Sequence, residues 1–143
     1  MYFRCFCPGG KGMKKRVLFV EDEQFFLDQL QVALEDEYEI VPAYTAAAGM
    51  EIVSKEEFDA VLLDIMMAPP DDIDPEVVNY GRSTGVEICR RIKSIKPEIP
   101  IIGLTVVRDP DILEEIKNAG AYKIINKPAT SGDVKSALDE IFD

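Results

Sequence analysis

The sequence predicts an α/β protein built on one doubly wound, five-stranded parallel sheet. Short apolar runs alternate with stretches of helical periodicity five times over residues 13–143. The runs are also mostly apolar, with 60–63 apolar throughout, so the central ones read as strands buried on both faces. Strands of that kind, separated by helices, imply a parallel sheet covered on both sides. Right-handed crossovers leave few ways to connect it, and the doubly wound arrangement is the natural one.

Residues 16–20 (RVLFV) form the first apolar run, bounded by charges. In the stretch 25–37, Phe26, Leu30, Ala33 and Leu34 recur at helical spacing and predict an amphipathic helix. Residues 38–43 (YEIVPA) read as a second strand, with Pro42 suited to a sheet edge. Thr45 is placed to cap a helix over 46–56. The third strand, 60–63, is wholly apolar. A helix over 85–95 puts Val86, Cys89, Ile92 and Lys93 on one face. Residues 100–104 (PIIGL) are the fourth strand, and 111–119 a helix that Gly120 can end in a left-handed conformation. Residues 121–125 are the fifth strand, and Val134, Leu138, Ile141 and Phe142 share one face of a last helix.

Composition narrows the function. The chain has 143 residues, the size of one domain with one core. Its net charge of -11 argues against a grip on phosphate backbones and for contact with basic protein faces. No apolar run approaches the roughly 20 residues of a membrane helix. Residues 1–12 lack the apolar stretch of a secretory signal and read as a disordered extension ahead of Met13. Cys5, Cys7 and Cys89 make no disulfide framework or zinc pattern and read as free thiols of a reducing cytosol. The chain contains no histidine, which excludes Ser-His-Asp and Cys-His catalysis. Carboxylates, hydroxyls and lysines carry whatever chemistry there is.

Those groups gather at the carboxyl ends of the strands. Strand one runs into Glu21 and Asp22, strand three into Asp64, strand four into Thr105, and strand five is followed by Lys127. Open α/β sheets bind ligands beyond these ends, where strand order reverses. With the order 2-1-3-4-5, three carboxylates meet there, and their repulsion calls for a hard divalent cation with oxygen ligands.

At these positions the chain resembles the receiver domains of bacterial two-component response regulators. The residues that carry the likeness are FVEDE at 19–23, VLLDIMM at 61–67, PIIGLT at 100–105 and GAYKIINKP at 120–128. The resemblance covers 13–143 and implies a flavodoxin-like three-layer sandwich. It implies that Asp64 is the phosphoacceptor, with Mg²⁺ held by Glu21, Asp22, Asp64 and the backbone carbonyl of Met66. Thr105 and Lys127 would contact the phosphoryl oxygens. The implied partners are a sensor histidine kinase or histidine phosphotransfer protein and an output partner protein, with no nucleic acid and no membrane, in the cytoplasm. The chain would be no enzyme beyond its own phosphorylation and slow dephosphorylation. The alternative is a degenerate receiver that only binds proteins. A phosphatase of the haloacid-dehalogenase type would need an Asp where Met66 stands. An FMN carrier would not have EDEQ facing the flavin phosphate.

Four departures from the family pattern carry expectations. Ile124 stands where the switch aromatic belongs, with Tyr122 two residues earlier on the same expected strand face. Val106 replaces a small residue and is expected to crowd the site. Met66 and Val107 are apolar where polar side chains often orient the hydrolytic water, which predicts a long-lived phosphorylated state. Finally, the stretch between Asp64 and Gly85 is about a dozen residues longer than the family norm, a length that marks a functional or disordered loop. It carries Asp71, Asp72, Asp74 and Glu76 without the spacing of a calcium loop. Two readings stay open: a solvated insertion, or a lid or partner-specificity element anchored by Val77, Val78 and Tyr80.

Overall fold

The computed structural model describes residues 14–143; the extension expected at 1–12 lies outside them. The described residues form five strands and five α-helices in strict alternation. They are β1 (Lys15–Val20), α1 (Gln24–Leu34), β2 (Tyr38–Ala43), α2 (Ala46–Lys55), β3 (Ala60–Asp64), α3 (Thr84–Ile95), β4 (Ile101–Thr105), α4 (Pro110–Asn118), β5 (Lys123–Asn126) and α5 (Ser131–Phe142). All neighbouring strands pair in parallel, in the order β2-β1-β3-β4-β5. The expected topology is the observed one.

Alternate residues of each central strand serve opposite layers. Leu18, Val20, Val61 and Leu63 face α2, α3 and α4, where they meet Val53, Cys89, Ile92, Ile112 and Ile116. Val17, Phe19, Leu62 and Leu104 face α1 and α5, where they meet Leu27, Leu30, Leu34, Val134 and Leu138. Burying one such side chain fully is worth about 1.5–3 kcal/mol, so these two layers hold the sheet edge in place. The caps agree with the sequence: Thr45 accepts from the Ala48 N–H at 3.0 Å, and Thr130 and Asp133 form a reciprocal capping box on α5.

Two local readings are corrected. The buried stripe of α1 is Leu27, Leu30 and Leu34, with Phe26 only partly covered and Ala33 exposed. Glu23 caps the helix, which begins at Gln24, and packing against the α5 side of the sheet centres the buried face on Leu27 with Phe26 at its margin. Strand β5 starts at Lys123, two residues later than expected. Tyr122 uses its N–H on Ile101 O, but its side chain lies at the surface with its hydroxyl donating to Glu140.

The long segment between β3 and α3 is folded against the domain. Met67, Ile73 and Val78 are buried in the layer of α2, α3 and α4, and Asp72 pairs with Arg91 of α3 at 2.9 Å. The Met67 N–H donates to Gly81 O at 3.1 Å, and the Thr84 hydroxyl donates to Met67 O at 2.6 Å, so the excursion closes on itself. Asn79, Tyr80 and Gly81 are all left-handed, with φ of 53°, 55° and 100°. For Tyr80 that conformation costs about 1–2 kcal/mol, and its N–H bond to Pro75 O helps hold it. Of the expected anchors, Val78 is buried, whereas Val77 and Tyr80 project into solvent.

Helix α3 then comes so close to β3 that only glycine fits at its start. A Cβ at Gly85 would lie 2.5 Å from Ile65 Cα and 2.7 Å from Asp64 O, both backbone atoms that cannot yield cheaply. Gly85→Ala is therefore expected to destabilise the fold by about 1–3 kcal/mol, the usual penalty for overpacking. Urea unfolding at unchanged slope measures it, and an unaltered midpoint contradicts the close approach.

Candidate functional site

Sheet register assembles the site. Val20↔Leu63 pairing places Glu21, at the end of β1, beside Asp64 at the end of β3. On the other side Asp64 is level with Leu104, so Thr105 lies one step beyond it on β4. Thr105 in turn pairs with Asn126, and the Lys127 N–H donates to Thr105 O at 2.8 Å. Lys127 thereby enters from the β5 side. Four separate strand ends deliver one acidic cluster, one hydroxyl and one cation.

The cluster consists of Glu21, Asp22 and Asp64, each offering an oxygen within 4.8 Å of the others. Glu21 is fully buried and Asp64 nearly so, while Asp22 is exposed. Lys127 Nζ donates to Glu21 Oε1 at 2.7 Å and lies 3.4 Å from Asp64 Oδ1. The second Glu21 oxygen accepts from the Glu23 N–H at 3.1 Å. Both oxygens of Glu21 are thus engaged, and Asp22 is the carboxylate most open to an incoming cation. Glu23 belongs to the helix instead, its side chain accepting from the Phe26 N–H at 2.8 Å.

Burial and the neighbouring Glu21 push the Asp64 carboxyl up to about 8, against the pull of Lys127. Burial also works against the Lys127 ammonium, but the bond to Glu21 and the charge of Asp64 outweigh it and raise its pKa. The site holds more negative charge than one lysine balances. An all-oxygen donor set with excess carboxylate fits a hard divalent cation, and the chain has no histidine to suit a softer one.

Thr105 and Met66 complete the expected set. Thr105 is fully buried, its hydroxyl oxygen accepting from the Val107 N–H at 2.8 Å, which leaves the hydroxyl proton to donate. The Met66 carbonyl is oriented by its own peptide. The N–H of that unit, on Met67, points to Gly81 O, so the carbonyl faces the opposite way.

Residues 17–139 match the response regulator receiver domain family over nearly all of the fold. This chain is a response regulator receiver domain. It is 28% identical over 127 residues to sporulation initiation phosphotransferase F of Bacillus subtilis, covering 88% of this chain and 92% of that protein. It is 28% identical over 130 residues to the chemotaxis protein CheY of Halobacterium salinarum, covering 90% of this chain and 98% of that one. A CheY-like receiver domain protein from Methanospirillum hungatei JF-1 superposes with a TM-score of 0.75 at 29% identity, over 91% of this chain and 98% of that chain.

Within this receiver domain, three of the expected departures read differently in three dimensions. Val107 is a core residue packed in the layer of α2, α3 and α4, whereas Val106 is half exposed. Ile124 is partly buried against that same layer, and the surface position of Tyr122 separates it from that strand face. Sequence reasoning missed Arg108, whose guanidinium donates to Asn126 Oδ1 and to Lys127 O, tying the loop after β4 to the end of β5. A lone arginine in a loop carried no signal for that bridge.

The raised pKa of Asp64 has a signed consequence for stability. The unfolded chain loses this proton near the ordinary value of 3.8 and the folded chain near 8, so the folded state binds the extra proton between them. Stability falls as pH rises through that window. Without added metal, Asp64→Asn should melt roughly 3–6 °C above the unsubstituted protein at pH 8, as relief of about 1–2 kcal/mol implies. The gap should close toward pH 4. Parallel melting curves across this range would contradict the reading.

Proposed function

We propose that Asp64 is the phosphoacceptor of this receiver domain. The observation that carries the reading is a buried carboxylate set between an acidic pair and the Lys127 ammonium, 3.4 Å away. Glu21, Asp22, Asp64 and the Met66 backbone carbonyl are the groups that would hold Mg²⁺. When bound, Mg²⁺ supplies positive charge against the carboxylates and the incoming phosphoryl oxygens.

The chain's own residues do the rest. An Asp64 oxygen attacks phosphorus, an acyl phosphate bond forms, and the phosphorus–nitrogen bond of a partner's phosphohistidine breaks, its electron pair leaving with the imidazole. Lys127 turns from Glu21 toward a phosphoryl oxygen, and the free hydroxyl proton of Thr105 donates to another. These groups stabilise charge that grows during transfer, which is where such a site gains most of its rate.

On this reading the donor is a sensor histidine kinase or histidine phosphotransfer protein, and the signal passes to an output partner protein. The chain catalyses nothing beyond its own phosphorylation and slow hydrolysis. It works in the cytoplasm without nucleic acid or membrane. Family membership and the charge of -11 support this, and no described helix is long and apolar enough to cross a membrane.

Acetyl phosphate with Mg²⁺ should add one phosphoryl mass to the intact protein. Asp64→Asn or EDTA should remove that gain, and labelling that survives Asp64→Asn would overturn the assignment. The lifetime should be long, because Met66 presents a half-exposed apolar side chain where a polar one would align water. Met66→Asn is expected to shorten the half-life of the phosphorylated protein several-fold. A charged residue at 107 would be buried in the core, so it offers no matching test. Unchanged decay in Met66→Asn would show that this side chain does not set the lifetime.

A further inference from the structure

Lys127 has a third neighbour that is not acidic. Its Nζ lies 4.9 Å from the ring centroid of Phe26, within cation–π range. Phe26 is itself held: its ring meets the buried Phe19 edge-on, with centroids 6.0 Å apart and planes at 80°, and its N–H is fixed by the Glu23 cap. The lysine side chain is only 17% exposed, so water competes weakly for the ammonium.

We propose that Phe26 is a positioning residue whose ring face holds the Lys127 ammonium at the carboxylate cluster during phosphoryl transfer. This rests on Asp64 being the phosphoacceptor. In the resting geometry Glu21 holds the ammonium at 2.7 Å. A cation held by Glu21 would compete for its oxygen, and phosphorylation of Asp64 removes that carboxylate's charge, so the lysine loses both resting anionic partners. The Phe26 ring stays. Its attraction spreads over a π-face and is not aimed along one lone pair, so Lys127 can turn from Glu21 to a phosphoryl oxygen without leaving the ring. The ring limits where a long, flexible side chain can go at the moment its charge is needed.

Packing alone would also place an aromatic under α1, and ring electronics separate the two accounts. Phe26→Leu keeps an apolar side chain and should slow phosphorylation by acetyl phosphate about tenfold, equivalent to about 1.4 kcal/mol. Phe26→Tyr keeps the π-face and should retain the rate. Placing one, two and then three fluorines on the ring weakens its negative face with little change of shape. The rate should fall stepwise along that series, and Lys127→Met should erase the dependence on fluorine. A second readout needs no phosphodonor: the Lys127 ε-methylene protons should show an upfield ring-current shift in NMR spectra that Phe26→Leu removes. A flat fluorine series or an unshifted ε-methylene resonance overturns the proposal. Where the unsubstituted protein takes no phosphoryl group, the phosphoacceptor reading fails instead, and the ring-current shift alone decides whether Phe26 holds the ammonium.

Discussion

The 2.7 Å contact between Lys127 and the fully buried Glu21 governs the chemistry at this end of the sheet. A carboxylate taken wholly out of water needs a partner, and losing one partner of such a pair typically costs about 3–5 kcal/mol. Lys127 meets that need, but at the expense of Asp64, from which it stands farther off at 3.4 Å. Asp64 is left buried, flanked by like charge and short of countercharge, which explains its raised pKa. The resting site is therefore under electrostatic tension, which a divalent cation held by Glu21, Asp22 and Asp64 would relieve.

Rigid geometry makes the arrangement possible. Parallel register brings residues as distant in sequence as Glu21, Asp64, Thr105 and Lys127 to one edge, and apolar layers on both faces prevent the edge from relaxing. Backbone bonds carry the positioning between strands: Lys127 N–H to Thr105 O, Ile65 N–H to Leu104 O, Glu21 N–H to Ala43 O. The long excursion after Asp64 is part of this frame. It is pinned by Ile73 and Val78 in the core, by Asp72 on Arg91, and by the Gly81 and Thr84 contacts to Met67. Those contacts are more than a loosely solvated insertion makes, although the excursion's carboxylates remain exposed. It is a strap bound to α2 and α3 whose last residues orient the peptide that carries the Met66 carbonyl.

Most of the fold was legible because the signals were redundant. Five short, mostly apolar runs, a threonine cap at Thr45 and a helix-ending Gly120 each pointed the same way. The site was legible for a different reason: four strand ends carried polar groups where burial should have favoured apolar ones. The misreadings fell where spacing is silent about third dimensions. The buried face of α1 is centred on Leu27 by its packing on the sheet, so Phe26 sits at the margin of the core and Ala33 outside it. Val107 looked like a neighbour of the phosphoryl site by its distance from Thr105, yet the chain turns it into the core. Of the strap's two buried anchors, Val78 was legible as one, whereas Ile73 was not, because it sits among carboxylates that read as solvated.

The central claim is that the carboxylate cluster is a cation site held in tension by Lys127. Thermal unfolding across a series of Mg²⁺ concentrations tests it most directly. The account predicts a melting temperature that climbs with the logarithm of Mg²⁺ once the site begins to fill, as binding to the folded state requires. It also predicts that Asp22→Ala abolishes most of that climb while leaving the fold intact. A melting temperature indifferent to millimolar Mg²⁺, or one that climbs equally in Asp22→Ala, would contradict it.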